Sequence, residues 1–69
     1  MDRRESELRA LLKMIRDLGG SAPWPMLVNN CNKYGIPLLD LKPLLESAKR
    51  KGLIQEKAGI YSLVRFVKH

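Results

Sequence analysis

The sequence is short of almost everything that covalent stapling and site chemistry require. It has one cysteine, Cys31, and one histidine, His69 at the last position. A single cysteine excludes an intrachain disulfide. One Cys and one terminal His do not make a tetrahedral cage, so no structural metal is expected. A Ser/His/Asp or Cys/His arrangement has no imidazole to build around. The acids Asp17, Asp40, Glu46 and Glu56 are scattered, without a paired-carboxylate pattern. Gly19-Gly20 has neither the lysine nor the spacing of a phosphate-cradling loop. No enzyme and no cofactor is expected. There is no run of about 18 apolar residues, the length a membrane span needs. The opening Met1-Asp2-Arg3-Arg4-Glu5 is charged and lacks the apolar stretch of a signal peptide. With no disulfide framework, a reducing, cytoplasmic interior is the expectation, with nucleoid association if the chain binds DNA. Internal repeats and low-complexity segments are missing too.

Acid is the other shortage. Lys and Arg total 13 against 7 Asp and Glu, a formal charge of +6 on 69 residues. Such a surface attracts polyanions, nucleic acid first, although it also keeps a small protein soluble. The length is that of one domain, with a core over about 3–64 and a basic tail at 65–69. The 45% apolar and 29% charged content is that of a globular chain rather than a disordered one.

What is present is helical periodicity broken cleanly by Gly and Pro. Leu8, Leu11, Leu12, Ile15 and Leu18 recur at spacings of three and four, an apolar stripe on a helix from about Asp2 or Arg3 to Leu18. Asp2 and Glu5 have capping-box spacing at its start, and Gly19-Gly20 ends it. Ser21 to Pro25 reads as a connector. A second helix then runs to about Tyr34, with Trp24, Leu27, Val28, Cys31 and Tyr34 on one face, and Gly35 stops it. Ile36 is an apolar turn residue expected in the core. The third helix ends at Lys51, with Leu41, Leu44, Leu45 and Ala48 inward. Pro43 is costly deep in a helix, so the expected start is an Asp40 N-cap that leaves Pro43 in the first turn. Leu38 and Leu39 would then form a separate turn or a kinked lead-in. Leu53 to Glu56 and Ile60 to Val64 read as strands around a turn at Lys57-Ala58-Gly59. A lone hairpin is not stable in water, so Leu53, Ile54, Tyr61 and Leu63 are expected to pack on the helices. Three helices and then a two-stranded hairpin give an α+β chain in winged helix-turn-helix order.

Several of these segments carry a family likeness. Leu18-Gly19-Gly20-Ser21-Ala22-Pro23 resembles the link after the first helix in the C-terminal winged helix of archaeal minichromosome maintenance (MCM) replicative helicases. The Gly35-Ile36 turn, followed by fifteen residues and Gly52-Leu53-Ile54, is similar as well, and so is Gly59-Ile60-Tyr61-Ser62-Leu63-Val64. The likeness covers roughly residues 8 to 64. It departs at Pro37-Leu38-Leu39 and Pro43, where the family usually opens its third helix with an Asp and charged residues. The resemblance implies an accessory, non-catalytic segment of a larger helicase. Such a segment would bind DNA weakly or dock a replication initiator protein.

Candidate nucleic-acid contacts follow from helix-turn-helix geometry, in which the third helix enters the major groove. Lys42, Ser47, Lys49, Arg50 and Lys51 lie outside its apolar stripe. Lys57 sits at the wing tip, and Arg65, with Lys68 and His69, in the tail. Lys and Arg neutralise phosphates. The leading half of the helix offers leucines, a proline and Asp40, not the Arg, Asn or Gln that read bases. Weak, non-specific duplex binding by a monomer is therefore expected. Trp24, Leu38 and Leu39 are the protein-docking candidates, with a core-capping role the simpler account of Trp24. The basic face of the first helix is explained by solvation, and Cys31 by burial. Two other readings stay open: a free-standing transcription regulator on duplex DNA, and a docking module that never touches DNA.

Overall fold

The computed structural model describes residues 3–64. The Asp2 cap and the tail residues Arg65, Lys68 and His69 lie outside the described residues. Helix α1 spans Arg3–Asp17, strand β1 Ser21–Pro23 and helix α2 Trp24–Asn30. A 3-10 turn over Cys31–Tyr34 leads towards helix α3, Leu38–Arg50, and then strands β2, Ile54–Lys57, and β3, Ile60–Leu63. The strands form one antiparallel sheet in the order β1-β3-β2. Three helices on a three-stranded antiparallel sheet give a small α+β, winged-helix-like architecture.

The sheet corrects the expectation of a two-stranded hairpin. Ser21 to Pro23, read as a connector, is an edge strand on β3, with Ala22 opposite Tyr61. Both are buried, at 1% and 5% exposure. A three-residue stretch ending in proline carries no periodicity to reveal a strand. The pairing is set by a partner some forty residues away. Proline is tolerated there because an edge strand leaves one side unpaired.

The three helical segments end by the same device. In each, the amide of the second residue past the last turn reaches back five residues and the preceding amide three. Gly20 bonds Ile15 and Gly19 bonds Arg16; Ile36 bonds Cys31 and Gly35 bonds Asn32; Leu53 bonds Ala48 and Gly52 bonds Lys49. This is the Schellman pairing, which needs a left-handed residue at its corner. Gly35 (φ 77°) and Gly52 (φ 76°) supply it. The residue after each of these corners is apolar, as the motif favours. Ile36 is fully buried as expected, which fixes the turn between the 3-10 segment and α3.

The core gathers Leu8, Leu11, Met14 and Ile15 of α1 with Leu27, Cys31, Ile36, Leu41, Leu45, Ala48, Ile54 and Tyr61. At 100° per residue, the buried positions of α1 fall in one sector centred near Leu11. Leu12 lies off its edge and Leu18 follows the helix end, so both are only half-buried, and Met14 takes the place the stripe assigned to them. In the second segment only Leu27 and Cys31 of the expected face are fully buried. The α-helix also ends at Asn30 rather than Tyr34, where the chain tightens into the 3-10 turn.

Helix α3 departs most from expectation. It begins at Leu38, with Pro37 at the cap position, and continues through Pro43 without a break. Pro43 is on the exposed side of the helix. It lacks the N–H that would donate to the Leu39 carbonyl, and Leu39 itself is 90% exposed. Water can satisfy a carbonyl at such a place, so the missing bond is tolerated there. The first turn is closed by the Asp40 amide, which donates to the Pro37 carbonyl at 2.9 Å, and it leads into the turn that buries Leu41, Leu44 and Leu45.

Candidate nucleic-acid interface

Helix α3 and the β2–β3 hairpin, the wing, place the expected contact residues. Arg50 and Lys51 are exposed at the C-terminal end of α3, and Lys57 is exposed at the end of β2. None of the three has an ion pair among the described residues. They are free to meet an anion. Ser47 is only partly exposed.

Lys49 is placed differently. Its ammonium donates to Glu56 Oε1 of β2 at 3.0 Å and lies 3.7 Å from Glu46 Oε2 on its own helix. Glu56 is placed there by the hairpin register, in which it faces Tyr61. The bond it donates to Glu56, chiefly, holds the Lys49 pKa above the ordinary lysine value. Lys49 is therefore a strut between helix and wing. The trio of Glu46, Lys49 and Glu56 carries one net negative charge between the two elements that would straddle a backbone. Nothing in the sequence pattern pairs Glu56 with Lys49, because the contact depends on the fold of the hairpin.

The wing is minimal. Lys57 pairs with Ile60, so only Ala58 and Gly59 form its tip. Both have positive φ, 54° and 78°, the conformation of a two-residue type I′ turn. Such a tip reaches no further than the sheet it closes.

The leading half of α3 exposes Leu38 (50%), Leu39 (90%), Lys42 and Pro43. Lys42 lies over the Trp24 ring, 5.8 Å from its centroid, so the structure brings together a residue expected at phosphate and one expected at a partner. Trp24 is half-buried against the core edge. A cation held over an indole still presents its outer side to solvent.

Two further side-chain contacts brace the unit. Tyr34 donates to Asp17 Oδ2 at 2.8 Å, tying the 3-10 turn to the end of α1. That bond is the first cause of a Tyr34 pKa raised above the ordinary tyrosine value. The Cys31 thiol is fully buried and donates to the Val28 carbonyl at 3.4 Å. No cluster of metal-ligating side chains occurs among the described residues. No helix among them is long and apolar enough to cross a membrane.

The fold and this surface thus define a small α+β domain of winged-helix-like architecture with a basic helix end beside a short wing. The chain matches no protein-family model, no curated protein and no solved structure.

Proposed function

We propose that this domain is a non-catalytic binding module that contacts duplex DNA weakly, through phosphates and without reading sequence. The observation that carries the reading is the trio Arg50, Lys51 and Lys57, exposed on α3 and the wing and unpaired among the described residues. The exposed leading turns of α3 hold no Arg, Asn or Gln to form the bidentate pairs that discriminate bases. Lys42 adds a cation at the Trp24 edge, whereas Lys49 is spent on Glu46 and Glu56. The resemblance to the MCM C-terminal winged helix supports an accessory place beside a replicative helicase, with the ATPase elsewhere.

The test is a titration of the labelled chain with a short random duplex at two salt concentrations. Expected are amide shifts at Arg50, Lys51 and Lys57 that fade as salt rises. Replacing each of these by Ala should lower the log K against log salt slope by about 0.9 per lost phosphate contact, equally for unrelated duplexes. Lys49→Ala should change that slope much less. Absence of shifts at low salt would overturn the proposal.

A second reading has its own observation. Leu38 and Leu39 project from the turn of α3 that would lead into a groove, and neither offers DNA a hydrogen bond. A replication initiator or other protein docking on Leu38, Leu39 and Trp24 would use them. Leu39→Glu separates the two, since it should abolish protein docking while lowering phosphate affinity only slightly.

A further inference from the structure

A second group of unpaired positive charge among the described residues lies not on α3 but on α1. Arg9, Lys13 and Arg16 recur at spacings of four and three, on the flank next to the buried stripe. All three are exposed, and none has an ion pair among the described residues. They border an open groove of about 430 Å³. Its floor is aliphatic: Leu12 of α1, with Leu53, Leu63 and Val64 from the base of the hairpin, the end away from its tip. Each of these four is half-buried. The floor exists because β3 packs against α1, with the Leu63 amide bonded to the Gly20 carbonyl just past that helix and the Val64 amide to the Leu53 carbonyl.

We propose that this groove docks an acidic, amphipathic protein segment. Its carboxylates would pair with Arg9, Lys13 and Arg16 while its apolar side chains cover Leu12, Leu53, Leu63 and Val64. The charge selects an anion. The floor selects a peptide over a nucleic acid, because a phosphodiester backbone brings no aliphatic surface to bury. A cationic rim around an apolar floor is the complement of a helix laid in a groove. The α3 surface lacks this combination, since Glu46 and Glu56 stand among its cations.

The experiment maps amide shifts on the full chain with three probes. One is a short synthetic peptide with leucines along one face and glutamates along both flanks. The others are a polyglutamate of equal charge and a short random DNA duplex. Expected are shifts at Arg9, Leu12, Lys13, Arg16, Leu53 and Leu63 with the amphipathic peptide. Its affinity should exceed that of polyglutamate on the order of tenfold, since burying two or three leucine methylenes supplies that difference. Charge reversal by Lys13→Glu, at an exposed position that leaves the core alone, should weaken the peptide on the order of tenfold and leave duplex affinity within about twofold. Equal binding of polyglutamate would overturn the proposal in favour of charge alone. Duplex shifts centred on this groove would reassign it to nucleic acid. Peptide binding seen only after removal of residues 66–69 would assign the groove to the chain's own C-terminal residues.

Discussion

Replacing Pro43 with alanine should make this protein markedly more stable. Pro43 is the sixth residue of α3, well past the first turn, where its missing N–H would have been unpaired in any case. An interior helical proline costs about 3 kcal/mol relative to alanine. Against this stands the lower conformational freedom proline gives the unfolded chain, about 0.4–1 kcal/mol. Pro43 is exposed, so no core packing is lost on truncation. The net gain for Pro43→Ala is therefore about 2 kcal/mol. For a domain of this size that is roughly 8–16 °C in Tm. Thermal unfolding followed by circular dichroism, with urea denaturation at 25 °C as a second measure, reads it directly. Pro25→Ala is the control. Pro25 lies in the first turn of α2, so its loss should lower stability slightly through the unfolded chain. A Tm for Pro43→Ala that is unchanged or lower would refute the reasoning. It would place Pro43 in a first turn, with the helix starting at Asp40.

Other consequences are smaller but equally specific. Ala58 sits at φ 54°, a conformation that costs a β-carbon about 1 kcal/mol and that asparagine tolerates. Ala58→Asn should raise stability by about 0.5–1 kcal/mol in chemical denaturation, and an unchanged midpoint would argue against the I′ turn. Both Tyr34 and Lys49 have folded pKa values raised above the ordinary 10.0 and 10.5. A raised folded pKa gives stability that is complete below the unfolded value and lost as pH climbs through the folded one. The denaturation midpoint should therefore hold to about pH 9 and fall above pH 10, less steeply in Tyr34→Phe; a midpoint flat to pH 12 would contradict the Asp17 and Glu56 bonds. Cys31 should be inert to a thiol reagent in the native protein and react at the rate of unfolding, because its sulfur is fully buried. Fast labelling without denaturant would show that the second helical segment opens locally.

The sequence alone determined that three helical segments end at glycines and that a hairpin follows, because these rest on interactions within a few residues. The spacing of Leu41, Leu44, Leu45 and Ala48, the left-handed corners at Gly35 and Gly52, and the turn at Ala58-Gly59 are local signals. The candidate cations were legible in the same way, as charges outside an apolar stripe. What tertiary structure decided is what depends on a distant partner. Ser21–Pro23 is a strand only because β3 lies beside it. Leu38 and Leu39 join α3 because the chain leaving the turn at Ile36 enters the helix at Pro37, and the Leu39 carbonyl left without the Pro43 N–H faces solvent. Lys49, alike in sequence to Arg50 and Lys51, is withdrawn from the free cations by Glu56 on a strand that the turn at Gly52 brings back against the helix. Arg9, Lys13 and Arg16 looked like a solvated face, and they border a groove because the far end of the hairpin supplies its floor. Periodicity records which side of an element is apolar, while its neighbours in the fold decide what each polar side chain meets.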